Sequence, residues 1–501
     1  MNELTKRRLV QFYKNQNSEF TIDDITFNDL NLDSLFDMIN HTSSSLGEEV
    51  LYSMLRHPLL NIDEISKREE LIKRYSLDSL LRTKNKNALK GLSKLRKYSV
   101  FEYLYHLENV PKIGTFAKFL SLILMIAAIA VIFFNVTAGL VFLVIAFIYN
   151  TLRYFKLKDV INPYLISVSY VLKAISYAKK LDGYDKEAYE KIKYIKNYSV
   201  FLGTISGATV HGGSGNPLDL ILDFLKMGFH FDIIIFYLII DKIILNKSNI
   251  EKYLISVGNL DAYISISEFR DEYKGMWCIP NFIESQNDYI KITDCRHPLL
   301  KECVGNDVLF NKSVLLTGSN ASGKSTFLRS IALNTILAQS LNTVFANEYE
   351  APIYLVISSM SISDNLLNGE SFYMAEVKSL KRIIDLVSNK KEYKVMTFVD
   401  EVLRGTNTKE RIASSTKILE FLSNNALSFA ATHDIELTSL LEKDYINYHF
   451  SEDVINDDIV FNYKLKEGPA NSHNAIKLLS LMGFPKEIVD DANDMIKKSL
   501  F

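Results

Sequence analysis

Apolar and polar residues follow two different patterns along the chain, with the change at about residue 285. Up to about residue 110, apolar side chains recur at spacings of three to four, as in Leu46, Val50, Leu51 and Leu55. This spacing predicts amphipathic helices, because positions three and four apart share one helix face. Residues 159 to about 255 have a similar texture. The first half of the chain is therefore expected to be mostly helical.

A long apolar segment interrupts this helical region. No charged residue occurs between Lys118 and Arg153, a length that exceeds one membrane crossing of about 20 residues. Asn135 and Gly139 lie near its middle, where a tight turn would fold it into a helical hairpin. A soluble core helix normally has a polar face, and this segment has none, so we expect a transmembrane hairpin at residues 116–155. A hairpin buried in a helical core is the alternative.

Basic residues flank this apolar segment on both sides. Lys112 and Lys118 precede it, and Lys156 and Lys158 follow it. Because cytoplasmic loops carry an excess of lysine and arginine, both ends are expected to face the cytoplasm.

A second apolar region, residues 218–245, has a different pattern. Asp223, Lys226 and Asp232 interrupt it, and its longest uncharged piece, residues 233–240, is too short to span a bilayer. We expect an amphipathic core helix here.

Beyond about residue 285, short apolar runs alternate with polar loops and helical segments. Four runs look like buried strands, at residues 314–316, 354–357, 395–399 and 427–431. Short buried strands that alternate with helices predict a parallel α/β sheet.

Composition and charge limit the possible partners and the number of domains. A chain of 501 residues is expected to form two to four domains. The formal net charge is −2, so any contact with nucleic acid must depend on a local patch. Residues 82–97 contain Lys84, Lys86, Lys90, Lys94 and Arg96, and this stretch could contact phosphates or acidic lipid headgroups, or simply form a solvated helix face. The three cysteines have no CxxC spacing, which favours a reducing cytoplasm over disulfides or zinc.

The strongest chemical signal follows the apolar run at 314–316. Residues 318–325 fit the G-x-x-x-x-G-K-[ST] pattern, in which glycines let backbone N–H groups surround phosphates. Lys324 would reach the β and γ phosphates of ATP, and the Ser325 hydroxyl would bind Mg²⁺. The helix that follows directs its positive end at the same anion. The expected nucleotide-binding residues are Gly318, Ser319, Asn320, Ala321, Ser322, Gly323, Lys324, Ser325 and Thr326.

Two other strand ends supply the remaining groups for hydrolysis. Asp400 and Glu401 directly follow the run at 395–399; Asp400 would hold Mg²⁺, and Glu401 would polarise the attacking water. His433 follows the run at 427–431 and could sense the γ-phosphate or orient water. The expected catalytic residues are thus Glu401, His433 and Lys324.

These segments resemble those of the MutS mismatch-repair family. Residues 317–326 resemble its phosphate loop, and residues 399–408 its Asp-Glu-x-x-x-Gly-Thr segment. Residues 431–433 resemble its switch histidine, and residues 296–298 the segment that opens its ATPase domain. The resemblance is specific over about residues 290–490 and fainter upstream.

The resemblance also implies a homodimer with composite ATP sites. Residues 370–376 resemble the family loop whose serine crosses the dimer interface to the partner's γ-phosphate, a role implied for Ser371. Tyr463 falls where the family stacks an aromatic residue or histidine on adenine, within a segment similar to its C-terminal dimerisation segment.

The expected fold is an α/β ABC-type P-loop ATPase domain preceded by a mostly α-helical core and lever region with a transmembrane helical hairpin. The expected domains are 1–110 (first helical part), 111–158 (hairpin), 159–255 (second helical part) and 256–501 (ATPase and dimerisation segment). The family's mismatch-reading domain and the nuclease module of one branch are expected to be missing.

Together these expectations describe an ATP-hydrolysing, Mg²⁺-dependent protein of the cell membrane, with its ATPase domain in the cytoplasm. The family resemblance implies double-stranded DNA as a partner and a role related to mismatch repair or the sensing of DNA structure. The hairpin, however, lies about where a DNA-gripping clamp would be expected. The alternative is therefore an ATP-driven membrane module that acts on a protein or lipid partner without nucleic acid.

Overall fold

The computed structural model describes residues 3–198, 217–319, 322–360, 372–389, 392–403, 406–455, 458–470 and 483–497. The helices within these ranges are α1 (Glu3–Lys14), α2 (Asp24–Asp29), α3 (Leu32–Ile39), α4 (Ser45–Arg56), α5 (Ile62–Leu77), α6 (Ser79–Lys90), α7 (Val100–Tyr105), α8 (Thr115–Ile132), α9 (Val136–Tyr177), α10 (Lys186–Ile192), α11 (Pro217–Phe229), α12 (Phe231–Leu245), α13 (Lys247–Glu272), α14 (Lys324–Leu341), α15 (Phe372–Asn389), α16 (Thr408–Asn425), α17 (Glu436–Leu440) and α18 (Lys486–Lys497). The strands are β1 (Asn281–Phe282), β2 (Ile290–Cys295), β3 (Asn306–Phe310), β4 (Ser313–Thr317), β5 (Glu348–Ala351), β6 (Tyr354–Ser359), β7 (Lys394–Asp400), β8 (Leu427–Ala431), β9 (Tyr445–Ile455) and β10 (Asp458–Glu467).

The chain forms two compact units. The first comprises residues 1–17, 40–53 and 71–269, and the second comprises residues 18–39, 54–70 and 270–501. All ten strands described above belong to the second unit. The first unit is helical, as the spacing of apolar residues predicted.

The main sheet of the second unit has the strand order β10-β9-β4-β8-β7-β6. Strands β9, β4, β8, β7 and β6 run parallel to their neighbours, and β10 pairs with β9 as an antiparallel edge hairpin. The four strands predicted from apolar runs are confirmed as β4, β6, β7 and β8. A smaller, four-stranded sheet has the order β1-β5-β2-β3. Its strands were not predicted, because each alternates buried and exposed residues over only a few positions.

Helices α8 and α9 of the first unit form the predicted hairpin. The turn lies at residues 133–135, where the Asn135 side chain caps α9 by accepting from Ala138 N at 3.0 Å. Gly139 allows the two arms to approach, because a Cβ there would lie 2.5 Å from Ile132 N. Both arms have the length and hydropathy of a membrane span, and only 17% of each span's most apolar window is buried. Helix α9 continues past the apolar segment to Tyr177.

The prediction of a single core helix at residues 218–245 is wrong. Two helices, α11 and α12, occupy this region and are separated at His230, whose φ is +56°. A left-handed backbone at a residue other than glycine breaks the helical path. Hydrogen bonds to the hairpin hold His230 in place, so the break depends on contacts that are distant in sequence.

Side chains of helix α2, near the chain's N-terminus, accept hydrogen bonds at the end of the edge strand β6. Thr26 of α2 accepts a hydrogen bond from Ser358 N at 3.1 Å. The buried Asp29 carboxylate accepts from Ser358 Oγ and from Met360 N, each at 2.8 Å. These side chains satisfy backbone and hydroxyl groups at the end of β6, which would otherwise be costly to bury.

We expect Asp29→Ala to lower the free energy of unfolding by about 2–3 kcal/mol, because it leaves the Met360 N–H and Ser358 hydroxyl without this acceptor. Urea denaturation of the variant and the wild type measures the difference. Asp490→Ala, at an exposed position of α18, is the matched control and should change stability by no more than about 0.5 kcal/mol. Equal stability of all three proteins would contradict the role given to Asp29.

Candidate nucleotide-binding site

The register of three parallel strands brings the predicted site residues to one edge of the main sheet. Leu316 of β4 and Asp400 of β7 both pair with Ala431 of β8. Two further backbone hydrogen bonds extend this alignment beyond the strands, from Glu401 N to Ala431 O at 2.8 Å and from Thr432 N to Leu316 O at 2.9 Å. The segments that follow β4, β7 and β8 therefore begin side by side.

The loop between β4 and α14 depends on two glycines with positive φ. Gly318 has φ +141°, and a Cβ there would lie 2.9 Å from Phe450 O. Gly323 has φ +107°, and a Cβ there would lie 3.2 Å from the Tyr463 ring. Larger residues would be strained at both positions. Glycine at both positions therefore lets the loop lie this close to Phe450 and Tyr463.

Lys324 begins α14 and is almost fully buried. Its ammonium donates to Gly318 O at 2.7 Å and to Ser319 O at 2.9 Å. These bonds fold the side chain back over the loop, where α14 also directs its positive N-terminal end. Positive charge is therefore concentrated at one point of the sheet edge.

Ser325 and Asp400 are in direct contact across this edge. The Ser325 hydroxyl donates to Asp400 Oδ2 at 2.5 Å. A hydroxyl and a carboxylate are the oxygen ligands that Mg²⁺ accepts, and this ion usually takes only one or two protein ligands beside phosphate and water. The described residues contain no group of three or more His, Cys, Asp or Glu that could hold a metal.

Glu401 and His433 lie on the other side of the lysine. His433 Nε2 is 3.1 Å from Glu401 Oε1 and 3.5 Å from Lys324 Nζ. Glu401 has φ +58°, a conformation that is uncommon outside glycine and often found at functional sites. A carboxylate and an imidazole are thereby placed next to Lys324 and the glycine loop.

A second ion pair holds the segment that carries His433. Arg411 of α16 donates from Nε and Nη2 to the two carboxylate oxygens of Asp434, at 2.9 and 2.7 Å. Bidentate pairs of this kind fix orientation as well as distance. Asp434 N also donates to Thr432 Oγ1 at 3.0 Å. The residues on both sides of His433 are therefore anchored.

These groups surround a cavity of about 390 Å³, within the usual size range of small-molecule sites. Ser322 Oγ is buried in its wall and has no hydrogen-bond partner among the described residues. An orphaned hydroxyl in a glycine-rich loop fits a site built for an anionic ligand. The cavity lining comprises Cys295, Leu300, Glu302, Cys303, Val304, Asn306, Ser319, Ser322, Gly323, Lys324, Ser325, Thr326, Phe327, Ser330, Asp400, Glu401, His433, Phe450 and Tyr463.

Several lining residues were missed by the sequence analysis. Leu300 and Val304 come from the loop before β3, and Phe450 comes from β9. Asn306 positions Tyr463 by donating from Nδ2 to Tyr463 O at 3.0 Å. No local motif marks these residues, because apolar side chains in loops and strands resemble ordinary core positions.

Most of the predicted site residues line this cavity or adjoin it. Ser319, Ser322 to Thr326, Asp400, Glu401, His433 and Tyr463 line it, and Gly318 adjoins it through Lys324. Asn320, Ala321 and Ser371 lie outside the described residues.

A buried histidine, His297, lies in the loop between β2 and β3. His297 Nδ1 accepts a hydrogen bond from Leu299 N at 3.2 Å, which requires the neutral ring. Burial, aided by the nearby Arg329 guanidinium, lowers the pKa of His297 to about 4.

The fold and the site define a mixed α/β protein with a helical N-terminal region and a glycine loop at the carboxyl edge of its parallel sheet. Residues 314–499 match the family profile described as MutS domain V. Many curated proteins named DNA mismatch repair protein MutS are also similar to this chain. These matches support membership of the MutS family.

Three of these relatives illustrate the extent of the similarity. The protein from Fusobacterium nucleatum is 31% identical over 294 residues, covering 52% of this chain and 32% of the relative. The protein from Lactobacillus acidophilus is 25% identical over 541 residues, covering 93% of this chain and 60% of the relative. The protein from Thermus aquaticus is 31% identical over 247 residues, covering 48% of this chain and 29% of the relative. The chain thus spans between about a third and three fifths of the curated relatives' length.

We expect the free energy of unfolding to fall as the pH is lowered from about 6.5 to 4, because the pKa of His297 is about 4 when folded and about 6.5 when unfolded. Between pH 6.5 and pH 4, His297 is protonated in the unfolded chain but neutral in the folded protein. Its contribution to the free energy of unfolding is therefore fully present above pH 6.5 and is lost on acidification at up to about 1.4 kcal/mol per pH unit. His297→Asn keeps an acceptor for Leu299 N and does not titrate. Urea denaturation at pH 7, 6 and 5 should show a smaller loss for the variant; equal losses would contradict this assignment.

Proposed function

We propose that the chain binds ATP with Mg²⁺ and hydrolyses it to ADP and phosphate. The observation that carries this proposal is the convergence of Lys324, Ser325, Asp400, Glu401 and His433 around one cavity, from three adjacent strand ends. Membership of the MutS family supports the same activity.

In this proposal the glycine loop binds the phosphates through the backbone of residues 318–326 and the ammonium of Lys324. Lys324 would exchange its bonds to Gly318 O and Ser319 O for phosphate oxygens. The adenine would stack on Tyr463, which lies beside Gly323. Leu300 and Val304 would cover the base, since apolar and aromatic groups line most nucleobase sites.

Ser325 and Asp400 would hold Mg²⁺, which supplies charge compensation on the phosphate oxygens when it is bound. Glu401 would accept a hydrogen bond from the attacking water and orient it in line with the γ-phosphate. His433, 3.1 Å from Glu401, would orient that carboxylate, and the Arg411–Asp434 pair would keep the histidine in position. Lys324 would stabilise negative charge as the bond to the leaving group breaks.

A homodimer with composite sites is part of this proposal. Ser371 from one subunit would complete the ATP site of the other, as the family resemblance implies. ATP binding would then draw two second units together, and hydrolysis would release them.

We further propose that the α8–α9 hairpin tethers the protein to the cell membrane, with the ATPase domain in the cytoplasm. The support is an apolar surface without charge between Lys118 and Arg153. Phe133 and Phe134 at the turn are 86% and 92% exposed, and Val144 in the second arm is 56% exposed. Such a surface is costly in water and favourable in lipid.

Double-stranded DNA is the proposed partner, because the curated relatives are named DNA mismatch repair proteins. A specific observation favours the alternative, a membrane module that acts on a protein or lipid. The basic stretch at 82–97 is partly neutralised within the first unit, since three of its seven lysines and arginines form ion pairs: Lys84 with Asp182, Lys86 with Glu268, and Lys94 with Glu48. Paired charges contribute little to phosphate binding, because each pair must be broken first.

We expect Glu401→Gln to lower kcat for ATP hydrolysis by roughly 10²–10⁴-fold, because the amide cannot take a proton from water. ATP affinity should be unchanged, since Glu401 is assigned to the water and not to the nucleotide. Phosphate release and nucleotide binding, measured on the same purified protein, separate the two effects. Glu442→Gln, an exposed position, is the control and should retain wild-type turnover. Persistent hydrolysis by Glu401→Gln would overturn the catalytic assignment.

The proposed partner is tested by the ATPase rate of protein reconstituted in lipid vesicles, with and without duplex, mismatched and branched DNA. We expect at least one DNA form to raise the rate, with a stimulation that falls as salt rises. A rate that responds to lipid but to no DNA form would contradict the DNA proposal and support the membrane module.

A further inference from the structure

Helix α11 packs directly against the α8–α9 hairpin. The Phe224 and Phe147 rings have centroids 6.3 Å apart, and a Cβ on Gly228 would lie 3.3 Å from the Phe147 ring. Phe229 packs on the small core of the hairpin, which is formed by Met125, Ala128 and Ala146. One side of α11 is therefore part of the same apolar assembly as the two arms.

The face of α11 that carries Phe224 and Gly228 is only partly covered by the hairpin. Ile221, Phe224 and Leu225 are 57%, 59% and 42% exposed. The only charged side chains among residues 221–229 are Asp223 and Lys226, which form an ion pair at 3.0 Å with the lysine buried. Residues 221–229 thus present apolar groups to their surroundings, and their two charged side chains neutralise each other.

The end of α11 is fixed at a defined level of the hairpin. His230 Nδ1 is 2.9 Å from Ser121 Oγ in the first arm, and its Nε2 is 2.8 Å from Asn150 O in the second arm. Asn150 Nδ2 donates to Gly228 O at 2.7 Å, and Arg153 donates to Ser121 Oγ at 3.1 Å. Ser121, His230 and the Asn150 amide nitrogen are hydrogen-bonded within the protein at this level, whereas Asn150 Oδ1 and Thr151 Oγ1 are buried without a partner among the described residues.

The position of Phe147 in α9 gives the depth in the bilayer at which α11 contacts the hairpin. Phe147, which contacts Phe224, precedes Arg153 by six residues, or about 9 Å at the helical rise of 1.5 Å per residue. In a hydrocarbon core about 30 Å thick, with Arg153 at its cytoplasmic boundary, this lies within the cytoplasmic leaflet, about 6 Å from the midplane. Val144, by the same arithmetic, lies about 14 Å inward and close to the midplane.

We propose that α11 is a third lipid-contacting helix, lying at the cytoplasmic boundary of the bilayer with Ile221, Phe224 and Leu225 in the acyl chains. The inference rests on the proposed membrane insertion of the hairpin. Its occupant is bilayer lipid and not a protein, because the exposed face of α11 adjoins the exposed apolar surface of the hairpin and the two share one packed core. Amphipathic helices of this kind lie in the interface with their apolar face buried about 5–10 Å.

Single-tryptophan variants in vesicles of brominated phosphatidylcholine test this proposal. Trp277 is the only tryptophan of the chain, so Trp277→Phe gives a silent background whose folding is checked by circular dichroism. Tryptophan is then placed by Phe224→Trp in α11, Val144→Trp in the hairpin and Leu440→Trp in α17, where the native leucine is 56% exposed. Bromine is carried either near the headgroup end or near the terminal end of the acyl chain.

We expect Phe224→Trp to be quenched at least twofold, and more by bromine near the headgroup than by bromine near the chain end. Val144→Trp should show the reverse preference, and Leu440→Trp should be unaffected by either lipid. If Phe224→Trp does not fold, Leu225→Trp provides the same measurement from the same face.

The experiment distinguishes failure of the inference on α11 from failure of the proposed membrane insertion. Quenching of Val144→Trp without quenching of Phe224→Trp and Leu225→Trp would overturn the inference on α11 and leave the hairpin in the membrane. A lack of quenching at Val144 and at Phe224 would overturn the proposed membrane insertion, and the inference with it.

Discussion

The hydrogen-bond register of β4, β8 and β7 is the constraint on which the candidate site depends. Because Leu316 and Asp400 both pair with Ala431, three loops that are far apart in sequence start at the same height. A shift of one residue in any of these strands would turn its side chains to the other face of the sheet. The lysine, the two acids and the histidine can therefore share one cavity only in this register.

The apolar segment places a comparable constraint on the helical unit. A hairpin whose arms are uncharged over residues 119–152 must place its few polar groups where they can satisfy one another. Ser121, Asn150 and His230 form hydrogen bonds at the base of the hairpin, although Asn150 Oδ1 is buried without a partner among the described residues. Their network also determines where α11 ends, so the geometry of a region predicted to form one amphipathic core helix follows from the hairpin it contacts.

The prediction from sequence succeeded where a local pattern was sufficient. Four buried strands and the glycine loop were found because β-branched and aromatic runs, followed by polar residues, are specific over short distances. The small sheet and the β9–β10 hairpin were missed, since their strands alternate or vary in polarity and resemble loops. The break at His230 was missed because both of its causes, Ser121 and Asn150, are at least 80 positions away.

The sequence by itself determined the chemistry: which side chains could bind phosphate, which could ligate a metal ion, and which segment has no polar face. These properties depend on residue type and on spacing of a few residues. Only the tertiary structure decided which of these groups meet, that Tyr463 lies against Gly323, that Asp29 completes the end of β6, and that α11 packs on the hairpin. The physical reason is that contacts between distant segments depend on strand register and helix packing, and a single sequence specifies these only through the cooperation of the whole fold.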